Sequence, residues 1–214
     1  MRKKASKALQ NSVKSQPDEK ARKREMKILS LLEVITDYTE SLKNGTEFTC
    51  DNLPPDGNKH PVQIIPQIMK SSFDEGYRQA ICQLGDIHSI VELLEIEHFV
   101  RGNITEETLC NQLKKYAGMI LTNLTFGDSG NKALLCSYKE SIKTLLMQLQ
   151  SSNGELRQAT AGVLRNLLRR ADSTSKEVLR EVGSVKSLMK AAMLNNTEIT
   201  FISIVRKINL RFVQ

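Results

Sequence analysis

Tryptophan is absent from this chain of 214 residues, and aromatic residues make up only 5% of it. That scarcity favours aliphatic helix packing over a β-sandwich. No apolar run reaches 18 residues, so no membrane-spanning helix is predicted. The N-terminus, Met1-Arg-Lys-Lys, has no apolar segment behind it and is not a signal peptide. The four cysteines form no Cys-x-x-Cys pair, which favours reduced thiols in a cytosolic protein, with Cys82 and Cys136 in core helices.

The sequence motifs of enzymes are also lacking. We find no P-loop, GxGxxG, HExxH or GxSxG. The segment 125–130 (Thr-Phe-Gly-Asp-Ser-Gly) is predicted to be a helix-to-helix turn, not a phosphate loop between a strand and a helix. His88 and Glu92 lie one helical turn apart, but zinc sites need three or four ligands and no third candidate accompanies them. We therefore predict a protein without catalysis, cofactor or metal.

The net charge of +7 is concentrated at the N-terminus. Residues 1–27 hold ten lysines and arginines and three acidic residues, so the rest of the chain is neutral overall. One hypothesis is a basic helix that binds nucleic acid or an anionic membrane by charge alone. The interpretation that we favour is a solvated helix face, and nucleic acid is not an expected partner.

An internal repeat organises the chain. An apolar helix that ends in asparagine recurs at a step of 43 positions, at Asn123, Asn166 and Asn209. A second signal lies elsewhere in the repeat: residues 78–91 match residues 176–189 position for position as a short helix, a glycine and a second apolar helix. This period is typical of α-helical solenoids with two or three helices per unit, and glycine suits the end of a helix.

The repeat predicts an all-α fold, an armadillo-type right-handed superhelix. Residues 1–42 are assigned to a partial first repeat with a basic helix and a long helix, and 43–61 to a loop insert. Residues 62–196 are assigned to repeats with an insert at 98–107. The segment 197–214 is either a divergent final helix or a truncated end, since Asn209 keeps the period. Because an array without polar end caps exposes its core, we expect the chain to be incomplete at both ends.

The helix that ends near Asn123 has two faces. Its core stripe is predicted to consist of Leu113, Ala117, Ile120, Leu121 and Leu124. The second face consists of Gln112, Tyr116, Met119, Asn123 and Phe126. Stacked repeats align such faces into a concave surface. Asparagine can satisfy the peptide bonds of an extended chain, and nearby basic residues favour acidic or phosphorylated segments. In the competing interpretation the asparagines only cap their helices and the aromatic residues belong to the core.

At this point the sequence resembles the armadillo-repeat domain of the adenomatous polyposis coli (APC) family. The likeness covers roughly residues 2–195 and is carried by these segments: Ala117-Gly-Met-x-Leu-Thr-Asn-Leu-Thr-Phe-Gly-Asp, Val163-Leu-Arg-Asn-Leu, Arg170-Ala-Asp, Leu179-Arg-Glu-Val-Gly-Ser-Val-Lys, Ser71-Ser-Phe-Asp-Glu, and the opening Ala5-Ser-x-Ala-Leu-x-Asn with Ser15-Gln-Pro-Asp. The resemblance implies a cytoplasmic scaffold, in part associated with the cytoskeleton or cell cortex.

The resemblance also implies partners and site residues. Expected partners are peptide segments of Rho-family exchange factors, a kinesin-associated protein and Wnt-pathway scaffolds. In the longer protein, β-catenin and microtubules are expected to bind through regions absent from these 214 residues, in a scaffold that restrains Wnt signalling by promoting β-catenin destruction. The family's groove contacts fall on Phe73, Arg78, Thr122, Asn123, Phe126, Lys132, Arg165 and Asn166. Where the family usually has a tryptophan this chain has Arg169, so an aromatic wall becomes a cation.

Overall fold

A computed structural model of the chain describes residues 19–45, 61–101 and 108–194. Across these ranges the chain is helical and contains no strand, which confirms the all-α class for this part of it. The helices are α1 (Glu19–Lys43), α2 (Pro61–Ser71), α3 (Glu75–Gln83), α4 (Asp86–Arg101), α5 (Thr108–Thr125), α6 (Ser129–Ser137), α7 (Lys139–Gln148), α8 (Gly154–Leu168), α9 (Ser173–Glu181) and α10 (Ser184–Leu194). The predicted basic helix before residue 19, most of the first insert and the segment 197–214 lie outside the described residues.

Short polar residues set where the helices begin. Asp74, Asp128, Asn153 and Asp172 each precede a helix and accept a hydrogen bond from the backbone N–H three residues further on, at 2.7–3.0 Å. These bonds satisfy N–H groups that have no partner within the helix. Gly85 and Gly183 end the first helix of the two matched segments with φ values of 82° and 72°. The predicted glycine caps are therefore confirmed.

Packing follows a step of three helices. Helix α4 lies against α1 and α7, and α7 also lies against α10. In the same way α5 lies between α2 and α8, and α6 contacts α9. The contact between α5 and α8 is the most extensive of these. These contacts therefore recur at a step of three helices, the larger of the two numbers per unit that the period allows.

The core agrees with most of the predicted apolar stripes. All five residues predicted for the α5 stripe are buried: Leu113, Ala117, Ile120, Leu121 and Leu124. In α1, Met26 and Leu29 stand at helical spacing from other apolar residues, yet they are 72% and 46% exposed. They lie off the buried face of α1, which carries Ile28 and Ile35.

A buried carboxylate lies where α1, α4 and α5 meet. Glu97 is 1% exposed. It accepts hydrogen bonds from the Tyr38 hydroxyl and, at 3.0 Å, from the Cys110 thiol, and it lies 3.5 Å from Nε of Arg101. Burial, followed by the charge of Glu97, raises the pKa of Tyr38 far above its ordinary value.

The same ion pair explains a correction to the second predicted insert. Residues 98–101 continue helix α4, which ends at Arg101. Arg101 lies one turn after Glu97 and faces its carboxylate, so this turn is held in the helix. The remaining part of the insert, residues 102–107, lies outside the described ranges.

Candidate functional site

A groove of about 950 Å³ runs over the surfaces of α2, α5 and α8. The residues that line it are Met69, Phe73, Lys115, Tyr116, Met119, Thr122, Asn123, Glu155, Gln158, Ala159, Ala161, Gly162 and Arg165. Three members of the predicted second face of α5 are among them: Tyr116, Met119 and Asn123. Tyr116 and Met119 pack partly against the core and also border the groove. These two side chains therefore belong in part to the core and in part to the groove lining.

The floor of the groove is a seam of small residues between α5 and α8. A Cβ atom on Gly162 would lie 3.2 Å from Oγ1 of Thr122, and one on Gly118 would lie 3.4 Å from Cβ of Ala159. Such a close approach of two helices leaves little room for a larger side chain at Gly162. The two helices therefore meet closely along the seam, with the larger side chains at its margins.

Charged and aromatic groups border the floor. Lys115 on α5 forms an ion pair of 2.8 Å with Glu155 on α8, and its ammonium lies 4.9 Å from the centre of the Tyr116 ring. The hydrogen bond from Lys115 lowers the pKa of the Glu155 carboxyl. Arg165 is exposed, and Phe73, 62% exposed, projects from the turn between α2 and α3. The groove thus offers both apolar surface and cations.

Four of the eight predicted site residues line this groove: Phe73, Thr122, Asn123 and Arg165. Phe126, 67% exposed, and Arg78 instead line a second cavity of about 550 Å³ between α3 and α6. Arg78 also donates to the backbone carbonyls of Ser72 and Phe73, at 3.2 and 2.9 Å, and so holds the turn that carries Phe73.

The remaining two predicted residues, Asn166 and Lys132, are buried. Nδ2 of Asn166 donates to the backbone carbonyl of Thr122 at 2.8 Å. Asn123 makes a related contact one unit earlier, where its Nδ2 donates to the Ser72 hydroxyl at 2.8 Å. The periodic asparagines therefore tie each of these helices to the preceding unit. Asn123 is half-buried and also reaches the groove.

Four basic residues lie at or near the C-terminal end of α8, and we call them the α8 cationic cluster: Arg165, Arg169, Arg170 and Lys132. Nζ of Lys132 donates to the backbone carbonyl of Arg169 at 2.9 Å. Burial, followed by the charges of Arg169 and Arg170, lowers the pKa of Lys132. Arg170 has a positive φ of 57°, a conformation that residues with a Cβ atom seldom adopt.

Several groove residues were missed by the sequence analysis, although the repeat contains a signal for them. The step of 43 positions carries Gln112, Tyr116 and Met119, which belong to the predicted second face of α5, onto Glu155, Ala159 and Gly162. Each of these three residues on α8 lines the groove. Extending the second face of α5 by one repeat would therefore have identified the α8 side.

The hypothesis of a basic surface at residues 1–27 can be examined only from residue 19 onward. There Arg24 and Lys27 lie 5.7 and 5.6 Å from the centre of the Tyr77 ring on α3. Lys23 pairs with Glu19 one turn away. Arg24 and Lys27 therefore contact α3, whereas the pair of Lys23 and Glu19 lies within α1 and is exposed to solvent.

The described ranges contain neither a membrane-spanning helix nor a metal-binding cluster of side chains. None of the helices there is long and apolar enough to cross a membrane. No group of three or more histidine, cysteine, aspartate or glutamate side chains is placed there to hold a metal ion.

Comparisons with known proteins agree with the resemblance. A family model described as "Adenomatous polyposis coli (APC) repeat" matches residues 15–81. The chain is 45% identical over 210 residues to the adenomatous polyposis coli protein of Homo sapiens, which covers 95% of this chain and 7% of that protein. It is 41% identical over 212 residues to human adenomatous polyposis coli protein 2, which covers 95% of this chain and 9% of that protein.

A nematode relative is more distant. The chain is 33% identical over 149 residues to the adenomatous polyposis coli protein-related protein 1 of Caenorhabditis elegans, which covers 68% of this chain and 12% of that protein. The chain thus spans only a small part of the relatives that it matches. Neither the family description nor any of these names is that of an enzyme.

Proposed function

Because this chain belongs to the adenomatous polyposis coli family, we propose that it is a non-catalytic, protein-binding part of a scaffold. Its helices form part of an armadillo-repeat superhelix, and the groove on α2, α5 and α8 binds extended peptide segments of partner proteins. The observation that carries this proposal is the groove itself, in which an asparagine amide, two cations and an exposed phenylalanine border one apolar surface.

The chemistry of the groove suits a peptide. Phe73 and Tyr116 provide apolar area for a partner's side chains, which is where binding energy tends to concentrate. The Asn123 amide provides a donor and an acceptor for a peptide backbone. Arg165 favours acidic residues in the segment, whereas Lys115 is already paired with Glu155 in the groove. Two further predicted contacts, Arg78 and Phe126, line the neighbouring cavity, so the surface for a longer segment continues between α3 and α6.

The family suggests which partners to test. By resemblance these are segments of Rho-family exchange factors, kinesin-associated proteins and Wnt-pathway scaffolds. For the longer proteins that carry this array, we propose a cytoplasmic scaffold at the cytoskeleton or cell cortex. Such a scaffold restrains Wnt signalling through β-catenin degradation and acts with microtubules in cell migration. β-Catenin and microtubules would be bound by regions other than these 214 residues.

The test is binding of the purified chain to a panel of fluorescent peptides from those three partner classes. The variant Asn123→Ala with Arg165→Glu should lose micromolar binding by about tenfold or more. A control with the same types of change, Gln150→Ala with Lys186→Glu at exposed positions outside the groove, should bind as the wild type does. Circular dichroism would establish that all three proteins are equally helical. A folded wild type that binds no peptide of the panel, or equal binding by both variants, contradicts the proposal.

A further inference from the structure

The α8 cationic cluster carries more positive charge than its surroundings neutralise. The N–H of Arg169 still donates to the carbonyl of Arg165, at 3.0 Å, so these two arginines lie one helical turn apart. Arg165, Arg169 and Arg170 are all exposed. In the part of the chain that the structure describes, none of the three forms an ion pair with a carboxylate.

The nearest acidic groups are already engaged in helix caps. The charge of Asp128 raises the pKa of Lys132, whereas burial and the charges of Arg169 and Arg170 lower it. The Asp128 carboxylate accepts the N–H of Asn131 at 2.8 Å. Asp172 accepts the N–H of Ser175 at 2.7 Å and its hydroxyl at 3.0 Å. Neither carboxylate forms an ion pair with the arginines. The two carboxylates therefore offset only part of the repulsion among the four like charges, and a bound anion would offset more of it.

We propose that the α8 cationic cluster binds the phosphate of a phosphorylated residue in the peptide held by the groove, with Arg169 and Arg170 as its ligands beside Arg165. This inference rests on the proposed peptide-binding function. A planar guanidinium donates two parallel hydrogen bonds to a phosphate. A phosphate carries close to two negative charges at neutral pH, so it compensates this cluster better than a single carboxylate does.

The position of the cluster favours a peptide over a membrane surface as the source of the phosphate. Arg165 lines the groove, and Arg169 and Arg170 follow it at the end of the same helix. A segment that lies along α5 and α8 would reach them without leaving the surface. The left-handed backbone of Arg170 is unfavourable for a residue with a side chain, and such strain concentrates at binding sites.

The experiment compares three degenerate peptide libraries that differ at one fixed central position, which is phosphoserine, serine or aspartate. We expect the phosphoserine library to bind the wild-type chain about tenfold more tightly than the serine library, and more tightly than the aspartate library. The variant Arg169→Gln with Arg170→Gln should lose this gain and keep its affinity for the serine library. The control Lys186→Gln with Lys190→Gln removes two charges from exposed residues of α10 and should keep the gain.

Each other outcome has a definite meaning. Equal binding of the phosphoserine and serine libraries, lost in Asn123→Ala, overturns the phosphate site and leaves the groove proposal intact. A gain that survives in the Arg169 and Arg170 variant overturns the site, because these arginines are then not the ligands of the phosphate. A gain that falls equally in the control also overturns it, because overall charge then explains the gain. Failure of a folded wild type to bind any library contradicts the groove and the phosphate site together. Binding of the wild type to vesicles that contain phosphorylated lipids, without binding to the phosphoserine library, assigns the cluster to membranes and overturns the proposal.

A second measurement reports on the cluster directly. Nuclear magnetic resonance of the ε-carbon of Lys132 follows the ionisation of its amine. An anion bound by Arg169 and Arg170 should raise the pKa of Lys132, because it offsets the two charges that lower it. Serine peptides should leave that pKa unchanged. An unchanged Lys132 pKa at saturation with a phosphoserine peptide would place the phosphate elsewhere.

Discussion

Replacing Asn166 by alanine separates two roles that the family resemblance and the structure assign to this residue. The resemblance makes Asn166 a contact for the bound peptide, whereas the structure buries it and directs its amide to the carbonyl of Thr122. That carbonyl belongs to the last turn of α5, which ends at Thr125, and the next backbone N–H, that of Phe126, donates to the carbonyl of Asn123 instead. We therefore expect Asn166→Ala to lower the free energy of unfolding. Peptide binding should change only because less of the protein is folded.

The size of the expected stability loss follows from the hydrogen-bonding groups that lose their partner. A buried acceptor without a donor costs about 1–3 kcal/mol. The hydroxyl of Thr125 is a longer second donor to the Thr122 carbonyl, at 3.3 Å, so we expect the lower part of the range, about 1–2 kcal/mol. Asn123→Ala should cost less, about 0.5–1 kcal/mol. Its partner, the Ser72 hydroxyl, still donates to the carbonyl of Met69 at 2.6 Å.

The assay is urea unfolding followed by circular dichroism, with peptide binding measured on the same preparations. With an m value of about 2 kcal/mol per molar urea, Asn166→Ala should lower the midpoint by roughly 0.5–1 M. The folded fraction of Asn166→Ala should bind the peptide with the same affinity as the wild type. Asn123→Ala is the matched comparison and should show the reverse, a small loss of stability and a large loss of affinity. If Asn166→Ala unfolds at the wild-type midpoint and yet loses the peptide, Asn166 is a ligand contact and the structural argument fails.

Two further predictions concern buried ionisable groups. Glu97→Gln should lower the unfolding free energy by about 3 kcal/mol, because it breaks a buried charged network. It should also lower the pKa of Tyr38, because, in addition to burial, the charge of Glu97 contributes to raising it. Ultraviolet titration of the tyrosines would detect this change, and an unchanged titration curve would contradict it. The pKa of Lys132 in the folded chain lies below its ordinary value of 10.5, so between the two values the contribution of this group to stability should rise with pH. Lys43 and Lys139, whose pKa values are raised, act in the opposite sense in any variant. The urea midpoint of the wild type should therefore rise relative to that of Lys132→Met across that window, and parallel curves would refute the assignment.

The repeat pattern was sufficient to predict much of this fold. The helical spacing of apolar residues identified the inner face of α5, and every residue assigned to that face is buried. Glycine at positions 85 and 183 marked helix ends correctly, because only a residue without a Cβ atom adopts a positive φ there at little cost. These features depend on local spacing and backbone preference, both of which a single sequence records.

Features that depend on distant partners could not be predicted in this way. Asn123 and Asn166 occupy the same place in the repeat, yet only Asn166 is fully buried, since burial depends on how closely the neighbouring helices approach. Glu97 would be expected at the surface on its charge alone. Its partners Tyr38 and Cys110 lie 59 and 13 positions away in the chain. No local pattern indicates that these three side chains meet.

The seam between α5 and α8 has a consequence for the thermodynamics of binding. Ala159, Ala161 and Gly162 have no side-chain rotamers to lose when a ligand covers them. A partner segment that binds over these residues would therefore immobilise few side chains of the protein. Most of the entropy cost of association would come from ordering the partner's own segment. Partners whose segments are already extended, for example through proline residues, should gain affinity here without making any additional contact.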